Sequence, residues 1–230
     1  MKAALVTPLL LALGALSFSV IAITGHRDGP VFIGSRYVRT RVEGHDFPKQ
    51  LVSGASRRTI PRKPVRVASL TVTADEILTA IAAPEHIAAL THFADDPSIE
   101  AGVARSPKNA ARIAGIDPER LVSLEPDLVF VAHYTMASAV HVLASAAIPV
   151  VRLAETRSFA DVDANVRLAA AATGEEERGE ALLARMHADL ERVAAAVRGR
   201  PEPRVLYYSQ VGYTSGTGTL VDEKIRLAGG

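Results

Sequence analysis

Beyond Pro64 the apolar positions fall into a regular alternation of short runs and helical periods. Val65–Leu70 is a β-branched run, and Ala74–Ala83 places Ile77, Leu78 and Ile81 at helical spacing. His86–Leu90 predicts the next strand. The polar loop His92–Pro97 follows, its proline and carboxylates breaking regular structure. Asp117-Pro118-Glu119-Arg120 predicts a helix start, with an aspartate cap, a proline in the first turn and a glutamate near the positive helix end, running through Leu121, Val122 and Leu124 to Pro126. Leu128–Ala132 is apolar throughout, as a parallel strand covered on both faces requires. Ile148–Val151 is the following strand. Between them Thr135–Ala147 is helical with Val140, Leu143 and Ala147 inward, which makes a strand–helix–strand crossover, right-handed by default.

The rhythm then changes. Phe159–Ala172 predicts one amphipathic helix, and after Thr173-Gly174 a second runs over Glu175–Val197, with Leu182, Leu183, Met186, Leu190 and Val193 on one stripe. The second would be about 35 Å long, which suits a strut between two lobes better than a crossover within one. Arg204–Tyr208 predicts a new strand, Gly212–Gly218 a turn and Leu220–Ala228 a helix start. One strand and one helix cannot bury a two-sided sheet, so a truncated second lobe, and a chain that is part of a longer protein, are expected. The expected fold class is therefore α/β, two Rossmann-like lobes joined by a long rigid helix. The divisions are a signal peptide or membrane anchor (1–24), a basic linker (25–63) with short β-like pieces at Tyr37–Arg39 and Gln50–Val52 that allow an edge hairpin just before the main fold, an N-terminal α/β lobe (64–157), a helical segment (158–200) and the start of a C-terminal lobe (201–230).

The leader rests on Ala3–Ile23, which carries no charge and follows Lys2, long enough to just span a bilayer. Arg27, Arg36, Arg39 and Arg41 follow it and complicate its topology. Charge is strongly segregated: residues 24–66 hold ten Lys/Arg against three Asp/Glu, whereas residues 67–230 hold fifteen against twenty-two. An acidic body behind a basic leader argues against nucleic acid as partner. The Arg57, Arg58, Arg62 and Lys63 cluster is either solvated or a membrane-surface contact. With 48% hydrophobic residues the chain can build a core, and with no cysteine it excludes thiol nucleophiles, iron–sulfur clusters, zinc ribbons and lipid attachment through an N-terminal cysteine.

The succession Arg66–Leu70 with Asp75–Leu78, then Asp95-Asp96-Pro97, Asp117–Leu121, Leu124–Val129 and Ile148–Val151, resembles the helical-backbone (class III) periplasmic binding proteins, the substrate-binding components of ABC importers for cobalamin, ferric siderophores and haem. The resemblance covers about residues 55–230, with Tyr213–Gly216 and Leu227–Gly230 similar to the start of that family's second lobe. It implies two lobes holding a ligand between them, export to the periplasm or cell envelope, a monomer that delivers to an inner-membrane permease, and no cofactor or catalysis. Carried over by position, the ligand-binding residues are His92, Phe93, Arg112, Ile113, His133 and Tyr134 from the first lobe and Tyr208 and Tyr213 from the second. Glu119 matches a glutamate that docks onto the permease. Imidazole, guanidinium and phenol groups together suit a metal chelate, an anionic ferric siderophore above all. Two departures matter. No tryptophan is present to surround a corrin, and Arg112 stands near where haem binders carry a tyrosine.

Two other readings follow from the residues themselves. His92, Asp95, Asp96 and His133 would suit a bare zinc or manganese ion if they converged. An α/β enzyme is disfavoured: Gly216-Thr217-Gly218 is too short for a phosphate loop, no Gly-x-Ser-x-Gly elbow occurs, and His141 and His187 lie in helices without a partner nearby in sequence.

Overall fold

A computed structural model describes residues 40–96, 106–115, 117–208 and 212–230. The expected leader or anchor lies outside these residues, and among the described residues no helix is long and apolar enough to cross a membrane. The chain opens with an antiparallel sheet of β1 (Thr40–Glu43), β2 (Lys49–Ser53) and β3 (Ser56–Ile60), in that order. Where the sequence allowed an edge hairpin within a linker, residues 40–60 form three paired strands packed on the main core. Leu51 and Ile60 are buried in the main core, beside the partly buried Val42 and Phe47. The sequence hides this because β3 reads Ser-Arg-Arg-Thr-Ile, with its first four residues exposed and only Ile60 turned inward.

A second sheet is wholly parallel: β4 (Val67–Ser69), β5 (Ile87–Thr91), β6 (Ala111–Ile113), β7 (Leu128–Val131) and β8 (Val150–Arg152) pair in the order β6-β5-β4-β7-β8. The helices are α1 (Val72–Ile81), α2 (Pro118–Ser123), α3 (Ala137–Ser145), α4 (Phe159–Thr173), α5 (Glu176–Val197) and α6 (Leu220–Leu227). The two faces of the parallel sheet carry different layers. Val67, Leu90, Leu128, Phe130 and Val151 pack with Ile77, Leu78 and Ile81 of α1, with Val166 and Ala169 of α4 and with the antiparallel sheet. Ala68, Ala89, Ile113, Val129 and Val131 pack with Leu121 of α2 and Leu143 of α3. Each fully buried Leu or Phe here contributes about 1.5–3 kcal/mol. β5 holds one extra residue against β4, pairing Ile87 with Val67 and Ala89 with Ala68. Ile87 and Leu90, three apart, therefore share a face, which strict alternation would forbid.

The long helix expected over Glu175–Val197 is α5, about 33 Å from end to end. It does not cover the sheet. Its first half lies on α4, with Leu183 buried and Leu182 and Met186 against the core cluster. Gly179 makes the crossing close: a Cβ there would fall 2.6 Å from the Cβ of Ala170. Gly174, at φ +70°, ends α4 in the left-handed region that frees the chain to start α5. The second half of α5 is largely exposed, and at its end Val197 meets Gly229 behind α6. Arg204–Tyr208, expected as a strand, pairs with no other strand among the described residues. In place of a ladder, the Tyr207 carbonyl accepts from Thr214 Oγ1 at 2.7 Å, and Leu206 is 78% exposed.

Candidate functional site

A parallel sheet directs the C-terminal ends of all its strands, and the loops that leave them, to one side. In the order β6-β5-β4-β7-β8 the chain first builds outward through β5 and β6 and then reverses to β7 and β8. The reversal point lies between β4 and β7, where the chain ends of α/β sheets open a crevice suited to a ligand. Thr71 follows β4 and begins α1; Ala132, His133 and Tyr134 follow β7. On the other side of β4, β5 runs into a 3-10 turn at His92–Asp95. Two strand spacings separate β5 from β7, about 10 Å. The His92–Phe93 pair (ring centroids 3.9 Å apart) and the His133–Tyr134 pair (4.9 Å, edge to face) therefore flank β4 on either side.

Each of these loops is pinned by a side chain of the scaffold. After β4, Ser69 Oγ donates to the carbonyl of Thr71 at 2.9 Å. After β5, the buried Asp75 of α1 accepts from Thr91 N at 3.1 Å and from Thr91 Oγ1 at 2.5 Å. Burial pushes the Asp75 carboxyl up to about 6, against the opposing pull of hydrogen bonds from Ser69 and Thr91. After β7, Arg152 Nη1 donates to the carbonyls of Ala132 (3.1 Å), His133 (2.8 Å) and Thr135 (2.9 Å). After β8, the buried Asn165 of α4 accepts from Ala154 N at 2.9 Å and donates to Ala154 O at 3.0 Å. Such bracing holds the backbone of the loops that carry the exposed side chains in one arrangement.

The expected site residues divide sharply. His92, Phe93 and Tyr134 are exposed at the strand ends, Tyr134 to 72%, and His133 is half-buried beside it. Ile113 is corrected: it is 1% exposed, turned into the core under α2 and α3, and offers nothing to a ligand. Arg112, expected to contact a ligand, is already paired with a carboxylate. Its Nε and Nη2 grip both oxygens of Asp95 at 2.8 and 2.7 Å, and its remaining contacts go to Ser106 Oγ and the carbonyls of Pro107 and Ala110. The guanidinium in turn holds the Asp95 carboxyl below the usual carboxylate range. That pairing also dismantles the bare-metal set of His92, Asp95, Asp96 and His133. Among the described residues no three His, Asp or Glu side chains are grouped to hold an ion. Tyr208 and Tyr213 are exposed on the segment between α5 and α6. Glu119 is exposed in the first turn of α2, behind Asp117, which accepts from Arg120 N at 3.0 Å. His187, which has no partner nearby in sequence, meets Asp163 across the α4–α5 contact at 2.9 Å.

Three residues of the site escaped the sequence reading. Met136 is exposed just before α3, beside Tyr134. Asp75 entered the sequence reading only within the succession that carries the family resemblance. Arg152 did leave a signal, a charge ending the apolar run Ile148–Val151, where the pattern calls for another buried residue.

A family model described as periplasmic binding protein matches residues 67–230. The chain belongs to that family. Among solved structures, the periplasmic heme-binding protein RhuT from Roseiflexus sp. RS-1 is similar at 26% identity and TM-score 0.58, over 72% of this chain and 64% of that one. The periplasmic vitamin B12 binding protein BtuF of Vibrio cholerae shares the fold at 19% identity and TM-score 0.57, over 73% of this chain and 65% of that one. Helicobacter pylori Ceue, solved with Ni(II) bound, does so at 17% identity and TM-score 0.62, over 78% of this chain and 60% of that one. The chain thus spans 60 to 65% of the length of these structures. No curated protein matches the chain in sequence. The class III resemblance and its α/β fold hold, and the family consists of binding proteins rather than enzymes.

Proposed function

We propose that this periplasmic binding protein is the substrate-binding component of an ABC importer, and that it captures a metal chelate at the C-terminal ends of β5 and β7 and hands it to a permease in the inner membrane. The observation that carries the reading is the pair of pinned loops presenting His92 with Phe93 and His133 with Tyr134 on either side of β4. Flat aromatic and imidazole faces about 10 Å apart cover the apolar body of a chelate, while an imidazole can reach its metal. Ferric siderophores are the best-fitting class. Cobalamin-like ligands come second, since the chain has no tryptophan to enclose a corrin. The heme and vitamin B12 named for similar structures belong to the same broad class of metal-centred ligands. In this reading Tyr208 and Tyr213 close over the ligand from the opposite side, Glu119 contacts the permease, and the protein works as an exported monomer in the periplasm.

Native mass spectrometry of the full-length protein purified from its own host tests this. A co-purified chelate, lost in the His133→Ala/Tyr134→Ala double variant while its thermal unfolding stays cooperative, is the expected result. A wild-type protein that carries no chelate and takes up none from a panel of ferric siderophores, cobalamin and hemin defeats the proposal.

A further inference from the structure

Arg112 and Arg152 occupy the last or next-to-last position of the two outer strands of the parallel sheet, yet their surroundings are opposite. Arg112 is neutralised by Asp95 through two parallel hydrogen bonds. Arg152 has no carboxylate partner among the described residues. Its Nη1 is spent on the three carbonyls of the β7 loop, and its Nε and Nη2 make no hydrogen bond among those residues. A half-buried guanidinium in that state is costly, and burial indeed draws its pKa below the ordinary arginine value. Carbonyl dipoles offset only part of that cost; an anion would offset more.

The place of this charge matters as much as its isolation. The guanidinium is hydrogen-bonded to the backbone of the very residues that bracket His133 and Tyr134. We propose that Arg152 both positions the His133–Tyr134 loop and supplies the positive charge that selects ligands carrying carboxylate or other anionic groups. Two donors on the fork, Nε and Nη2, are available in the planar arrangement that matches a carboxylate. The inference rests on the chelate-binding reading above and narrows it, from metal chelates in general to anionic ones.

The test compares ligands of different charge. Hemin and its dimethyl ester share metal and macrocycle, and a ferric tris-catecholate can be set against the neutral ferrichrome. Affinities are measured by tryptophan-free methods, isothermal calorimetry or metal absorbance, on the full-length protein and on Arg152→Gln and Arg152→Lys. The expected result is that Arg152→Gln weakens the anionic member of whichever pair binds by about ten- to a hundredfold and leaves the neutral member within a few fold. Arg152→Lys keeps the preference for the anion, because the charge survives although the fork is lost. An equal loss for charged and neutral ligands in Arg152→Gln would reduce Arg152 to a loop clamp and overturn the anion selectivity alone. Affinities unchanged for both the charged and the neutral ligand would overturn both of its assigned roles. If neither pair nor cobalamin binds the wild-type protein, the chelate-binding reading itself fails, and this inference with it.

Discussion

The ammonium of Lys49, only 1% exposed, bridges Ala171 and Glu176 across the turn between α4 and α5. It donates to the Ala171 carbonyl at 3.0 Å, one of the orphan acceptors in the last turn of α4, and to the carboxylate of Glu176 in the first turn of α5. Both ends are electrostatically favourable, a cation at a helix C-terminus and an anion at a helix N-terminus. The ring of Phe47 lies 4.9 Å below the ammonium and packs on Gly174. Lys63 reaches Glu175 at 2.8 Å, and Arg178 reaches the Ile81 carbonyl at 3.0 Å. The antiparallel sheet therefore clamps the root of the long helix to the lobe.

Removing that clamp is expected to be expensive. Lys49→Ala leaves a cavity and an unpaired carbonyl and should lower unfolding free energy by about 2–4 kcal/mol, while Lys49→Met, which keeps the stem, should lose about half as much. Urea titration at constant m-value measures both. A Lys49→Ala midpoint equal to that of wild type would show that the contact does not hold the helix root.

Asp75 gives the fold a pH dependence of definite sign. Burial pushes its folded carboxyl up to about 6, well above the ordinary aspartate value. Between these values the folded chain holds the extra proton, so Asp75 contributes its full stability below the lower value and loses it as pH rises through about 6. The whole effect is on the order of 3 kcal/mol. Asp75→Asn abolishes the titration, so its stability relative to wild type should improve from pH 4 to about pH 6 and level off above it. Denaturant unfolding at three pH values checks this, and parallel profiles for the two proteins would contradict it.

Arg112 and Asp95 should behave as a structural pair. In a double-mutant cycle of Arg112→Ala and Asp95→Asn, a coupling of about 1 kcal/mol is expected at neutral pH, as for a well-formed but largely solvent-accessible ion pair. Because Arg112 holds the Asp95 carboxyl low, the coupling is present above the usual carboxylate range and fades as pH falls through the lowered value. Additive single mutants at pH 7 would refute the pairing.

At Gly179 two effects oppose. Alanine gains about 1 kcal/mol of helix propensity but must place a methyl 2.6 Å from Ala170 Cβ, and overpacking costs about 1–3 kcal/mol. Net destabilisation is expected, and Ala170→Gly in the same chain should restore most of it. Thermal melts of the single and double variants decide the matter; a stabilised single variant would mean that the helices can move apart freely.

Much of this architecture could be read directly from the residues, and the failures have physical causes. Leu128–Val131 and Glu176–Val197 declare themselves through an unbroken apolar run and a sustained helical stripe, signals that need no tertiary knowledge. β3 does not, because a strand with one inward residue looks like a basic linker until its partners are known. The strand expected at Arg204–Tyr208 has the right composition but no neighbour to pair with among the described residues, and a ladder cannot be inferred from one side. The resemblance put His92, Phe93, His133 and Tyr134 at strand ends, and they do follow β5 and β7. It could not separate Arg112 from Arg152, since that difference lies in which of them meets a carboxylate, a contact made 17 residues away in sequence.

The two outer strands of the parallel sheet, β6 and β8, are three residues long and each includes an arginine. Open sheet margins invite strand addition by another copy, and brevity together with a charged residue blunts that template. Crowded copies of this chain would therefore find little on which to begin cross-molecule aggregation, even though the five strands never close into a barrel.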